Sequence, residues 1–214
     1  MKKKVLLLFS MIMLSITVMK AQDNVKFNAS MKSLIQKMDS IGSDHDKFVN
    51  LGADFERIGN VEQKEWLPYY YAAYCFTMKA LITSKESEEL ANRADKLLDL
   101  AEKKGGDKSE ICCVKSYAAT ARFIINPQQR WMTDGKTSSD LINQAIKENP
   151  ENPRAYLLLG QSLLNTPKEY GGGFDAAKQV LNKALDKFKV FKPSSDISPK
   201  WGEDYTKHLL SKNK

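Results

Sequence analysis

Cysteine is scarce in this 214-residue chain, which holds only Cys75, Cys112 and Cys113. An odd count, with two of the three adjacent, is too small and too clustered for a disulfide framework. Histidine is scarcer still. His45 and His208 stand far apart with no second His or Cys at ligand spacing, so no metal site is expected. No Cys-x-x-Cys, Gly-x-Ser-x-Gly or His-Glu-x-x-His occurs. The carboxylate pairs Glu88-Glu89 and Asp44/Asp46 fall in polar helix starts, where they favour the helix dipole. The expectation is a non-enzymatic chain without a cofactor. Clean apolar–polar alternation is also missing, which excludes an extensive half-buried sheet. Beyond the first 20 residues no run is apolar enough to span a bilayer.

Positive charge is present but does not survive trimming. Lys+Arg number 33 against 26 Asp+Glu, a formal +7. Met1-Lys2-Lys3-Lys4 followed by an apolar stretch to Val18-Met19, then Lys20 and Ala21, has the form of a signal peptide over residues 1–21. A membrane anchor needs ~20 apolar residues without a charge, and Lys20 interrupts this run. No cysteine lies near the cleavage point, so a lipoprotein is not expected, and the periplasm or the exterior is the expected location. Loss of Lys2, Lys3, Lys4 and Lys20 leaves 29 basic against 26 acidic residues, or +3. That is not the basic stripe of a nucleic-acid binder.

What is there is helix. Met31, Leu34, Ile35, Met38 and Ile41 keep one helical face, and Phe48, Leu51, Phe55 and Ile58 form the stripe of the next helix. An aromatic-rich helix is predicted over 64–83, and a fourth led by Ser87 and stopped at Gly105-Gly106. A fifth spans 109–125, ended by Asn126-Pro127. A sixth is capped by Ser138 or Ser139, a seventh is opened by Pro153, an eighth covers 174–188 and a last one 200–211. The pattern repeats. Ala101 and Ala145 are 44 residues apart, Ala184 follows after 39, and the small residues Ala72, Ser116 and Gly160 again keep a 44-residue spacing.

Tyr156-x-x-Leu159-Gly160-x-x-Leu163 followed by Ala177, Leu181 and Ala184, with Ala145 and Pro150 in phase before it, resembles a tetratricopeptide repeat with a lengthened middle loop. The leader junction resembles those of exported Bacteroidota proteins. The resemblance implies an all-α, right-handed solenoid of about four antiparallel helix pairs, near 28–59, 64–104, 109–149 and 153–188. These make up a domain over 22–192, followed by a linker and capping helix over 193–214. A helix pair of this size cannot bury its apolar face alone, so pairs stack and share a core.

Three sets of residues are candidates. The first helix of each pair would line a concave face carrying Trp66, Tyr69, Tyr117, Thr120, Arg154, Gln161 and Asn165, suited to a peptide. Trp66 and Tyr69 could equally be packing. The second set lies in two enlarged loops on one edge, 126–136 with Arg130 and Trp131, and 166–173 with Lys168, Tyr170 and three glycines. Insertions of this kind mark binding faces, and the glycine run could either turn the chain or cradle an anion. The third set is Cys75 and Cys112, on adjacent first helices, either bridged or buried as free thiols. The leading expectation is a scaffold for a protein or peptide partner. The alternative is a small-ligand-binding or transporter-accessory protein of the cell envelope, with Arg130, Trp131 and Tyr170 lining the site.

Overall fold

The computed structural model describes residues 24–212, so the leader read over 1–21 lies outside the described residues. These residues form helices and no strand. The described part of the first helix, α1, runs over 24–39. It is followed by α2 (Lys47–Val61), α3 (Leu67–Ala80), α4 (Ser87–Lys103), α5 (Lys108–Phe123), α6 (Pro127–Arg130), α7 (Lys136–Glu148), α8 (Pro153–Leu164), α9 (Phe174–Val190) and α10 (Glu203–Lys212). No described helix is long and apolar enough to cross a membrane.

Local chemistry sets the helix starts. The Asp107 carboxylate accepts from the Glu110 amide, and the Asn152 side chain accepts from the Arg154 amide with Pro153 at the first position. The amphipathic helices α4, α7 and α9 bury one stripe each: Leu90, Ala94, Leu97, Leu98 and Ala101; Ile142 and Ala145; Ala177, Leu181 and Ala184. By contrast α3 is buried on almost every side, with Tyr69, Tyr70, Tyr71, Ala72, Ala73, Cys75 and Phe76 all inside.

Consecutive helices pack on one another, and α3, α5 and α8 also touch side by side. Joints within pairs (40–46, 81–86, 124–135, 165–173) gather at one end, where Lys79 reaches Asp46 and Arg130 reaches Glu88. Joints between pairs gather at the other, where Asn152 donates to Ser109 Oγ at 2.9 Å. Small residues allow the close approach. A Cβ on Gly160 would stand 2.5 Å from Leu181 Cδ2. The 44-residue spacing is met in space: Arg154 bonds Glu110, Tyr117 bonds Gln161, and Gln161 bonds Tyr205. By that spacing α10 takes the position of a first helix in a fifth pair.

Two segments differ from the sequence expectation. Residues 126–136, read as an enlarged loop, are helical: α6 runs into a π-helical turn, Trp131–Gly135, and straight on into α7. Asn126-Pro127, read as a stop, also starts a helix, because the Asn126 side chain accepts from the Gln129 amide and Pro127 suits a first helical position. The last helix begins at Glu203 instead of residue 200. Gly202 has φ +111°, a conformation outside the helical region, and Trp201 before it is turned back into the protein.

Candidate functional site

The face of α3, α5 and α8 on which a groove was expected is covered. Residues 191–202 leave α9, cross this face as a strap and return to α10. Asp196 reaches Lys32 of α1 at 2.6 Å, the Tyr71 hydroxyl donates to the Ile197 carbonyl at 2.9 Å, and the Trp201 indole N–H donates to the Tyr70 hydroxyl at 2.9 Å. The Trp201 ring lies 5.1 Å from Tyr74 and 6.0 Å from Tyr117.

Most of the expected groove residues therefore have other roles. Arg154 is not a binding residue on an open face. It is 1% exposed and grips Glu110, with Nε to Oε1 at 2.8 Å and Nη2 to Oε1 at 2.7 Å. Glu110 also accepts from Asn152 Nδ2 at 2.8 Å and from the Tyr70 hydroxyl at 3.0 Å. Burial pulls the Arg154 pKa down, but the charge and hydrogen bonds of Glu110 outweigh it and hold the pKa up. Burial, then the Glu110 charge, pushes the Tyr70 phenol well above its usual range. Tyr69 points back to α2, donating to the Gly59 carbonyl at 2.7 Å. The Thr120 hydroxyl meets Ser138 of α7 at 2.8 Å, inside the third pair. Trp66 packs edge-on against Tyr70, with ring centroids 5.5 Å apart. Tyr117 donates to Gln161 at 2.8 Å, and Asn165 closes α8 by donating to the Gln161 carbonyl. Among these groove positions only Asn165 is exposed, while Trp66, Thr120 and Gln161 are half-buried.

Cys75, Cys112 and Cys113 are free and buried, so of the two readings of Cys75 and Cys112 the structure has the free thiols and not the bridge. Burial pushes the Cys112 thiol up to about 11 and the other two higher still. They behave as small apolar side chains. Among the described residues no group of three or more His, Cys, Asp or Glu is placed to hold a metal ion.

The loop edge is the opposite case. Trp131 is 61% exposed, Met132 59% and Tyr170 79%; Ile82, Ile124 and Ile125 are exposed at the same end. The turn bearing Trp131 is held from behind. Arg130 Nη1 reaches Glu88 Oε2 at 2.6 Å, and a Cβ on Gly135 would stand 3.2 Å from Phe123. Arg130 is thus committed to an ion pair, whereas Lys85 and Lys168 make none among the described residues and remain available to an anion. The glycine run serves the turn: the amides of Gly171, Gly172 and Gly173 donate to the carbonyls of Lys168, Pro167 and Leu163, leaving none to cradle an anion.

Large apolar side chains gathered on a surface cost solvation, roughly 1.5–3 kcal/mol each relative to burial, and such patches mark interaction sites. The edge offers flat aromatic faces, a Met thioether, a Tyr phenol and exposed ammonium groups. Elsewhere, a cleft of about 240 Å³ lined by Lys26, Phe27, Ile58 and Val61 near the far end of the first pair is smaller than the ~300–1,000 Å³ of typical ligand pockets. Sequence reasoning missed Met132, Ile82, Ile124 and Ile125. The three isoleucines were hidden because the helices read over 64–83 and 109–125 ran past the observed ends at Ala80 and Phe123. It also missed Trp201, a lone tryptophan in a polar stretch.

No protein-family model matches the chain, and no curated protein does. Among solved structures, the HusA haemophore from Porphyromonas gingivalis matches with a TM-score of 0.82 and 39% sequence identity, over 88% of this chain and 92% of that one. At that identity and coverage the likeness extends beyond shared helix packing, and this chain belongs to the family of the HusA haemophore.

Proposed function

We propose that this protein binds haem, or a porphyrin of the same shape and charge, on the loop edge formed by Trp131, Met132 and Tyr170, and carries it outside the cytoplasm without transforming it. The observation that carries this reading is the exposure of two aromatic rings on one edge of a haemophore-family protein. A porphyrin is a flat apolar disc with two propionates. Stacking on Trp131 and Tyr170 would take the disc, and Lys85 and Lys168 would meet the carboxylates. Covering of the inner face by the strap favours this ligand-binding alternative over a peptide-binding scaffold, because a peptide there would first have to displace bonded residues of the chain itself.

The finer readings go with it. The 44-residue neighbours supply support for a tetratricopeptide-like, right-handed stack. Residues 1–21 act as a removable leader in this reading, which places the carrier in the periplasm or beyond it.

Titration of the protein with haem, followed by the Soret band and by tryptophan quenching, tests the proposal. Trp131→Ala should weaken binding about 3- to 10-fold, and Trp131→Ala/Tyr170→Ala about 10- to 100-fold. Undiminished affinity in the double variant would remove the edge from consideration. Absence of any haem binding by the intact protein would remove the function.

A further inference from the structure

We infer that residues 191–202 form a strap closing the stack end to end, with Trp201 as its latch, so that the first and last helix pairs open together and not in succession. Stacked repeats touch only their neighbours, and pairs at the ends of such a stack open independently of distant ones. Here the segment after α9 crosses the α8, α5 and α3 positions to reach α1. Its tip is internally fixed, since the Ser198 hydroxyl accepts from the Ser195 amide at 3.0 Å and bonds the Ser194 hydroxyl at 2.9 Å. Ile197, 4% exposed, belongs to the apolar cluster that holds Phe27, Met31 and Leu34 of α1. Asp196 pairs with Lys32 on the same helix.

The return of the strap carries the latch. The described residues form three apolar clusters: one over α1 to α5, one between α5, α7 and α8, and one around α8, α9 and α10. Trp201 packs against all three. Its indole N–H ends on Tyr70, whose hydroxyl donates to Glu110, so the strap is wired into the buried Glu110–Arg154–Asn152 group that joins the second, third and fourth pairs. The Arg154 guanidinium carbon lies 4.5 Å from the Phe191 ring centre and 5.7 Å from that of Trp201, touching both the departing and the returning strand of the strap. Gly202 makes the turn into α10. Its φ of +111° is open to glycine, and a Cβ there would stand 2.9 Å from Leu157 and 3.0 Å from Phe188.

Hydrogen–deuterium exchange on the full chain tests this, comparing wild type with Trp201→Ala and with the gentler Tyr71→Phe, which removes only the hydroxyl that holds the Ile197 carbonyl. With a latch, Trp201→Ala lowers protection at least tenfold in α1 as well as in α10, although α1 lies more than 150 residues away in sequence. Tyr71→Phe gives the same paired loss on a smaller scale, about threefold. Loss confined to residues 191–212 in Trp201→Ala, with α1 unchanged, would overturn the inference and reduce the segment to a terminal cap. Should Trp201→Ala fail to fold, the paired or unpaired loss in Tyr71→Phe decides alone.

Discussion

The inner face and the loop edge are both rich in aromatic residues, and they put them to opposite uses. On the inner face Tyr70, Tyr71, Tyr74 and Tyr117 receive Trp201 and Ile197 of the strap, and the hydroxyls of Tyr70, Tyr71 and Tyr117 each donate to a partner within the chain. On the edge, Trp131 and Tyr170 stand in solvent on turns that are themselves well anchored. Aromatic content alone therefore does not separate a binding surface from a core. The separating quantity is whether another part of the same chain covers the rings.

That contrast can be broken at its strongest point first. Glu110→Ala strands the buried Arg154 guanidinium without its counter-charge and should cost about 3–5 kcal/mol of stability, read from urea unfolding. Removing two large aromatics from the edge should do almost nothing of the kind. Trp131→Ala/Tyr170→Ala is expected to stay within about 0.5 kcal/mol of wild type while losing haem affinity. A large loss of stability in that variant would mean that the edge is structural.

Ionisation sharpens the comparison further. Burial raises the Cys112 thiol to about 11, so between the unfolded value near 9.0 and that folded value the native state binds more protons than the unfolded one. Stability should accordingly fall as pH rises through that window, and a thiolate-directed reagent at pH 8 should label none of the three cysteines before unfolding. The smallest effect is expected at Asp196. A hydrogen bond from Lys32, and then its charge, hold this carboxyl below the usual range on an exposed surface. Its contribution is present above the unfolded pKa and is lost as pH falls through the folded one. Asp196→Asn should flatten acid unfolding only slightly at low salt and not at all at high salt.

Much of the fold was legible because it is written in local patterns. Helical spacing located the apolar stripes, Pro153 and Ser87 marked helix starts, and the 44-residue recurrence of small residues identified helices that do meet. The edge was legible in part. Trp131 and Tyr170 were placed there from their position between paired helices, but the turn of 126–136 into helix was hidden because Asn-Pro can either stop or start one. Arg154 was misread as a surface cation. Its register on the inner face was sound, yet its partner Glu110 and its cover, Phe191 and Trp201, lie 37 to 47 residues away in sequence.

What the sequence by itself determined is the part governed by neighbours three, four and 44 residues apart: the helices, their pairing and the end at which the loops emerge. The tertiary structure alone decided which face stays open. Residues 191–202 have no helical period to announce a destination. Their place is set by one indole, one isoleucine and two tyrosine hydroxyls that meet only when the stack has formed. Burial is a property of the assembled chain, and here it closed the face richest in aromatics and left the edge exposed.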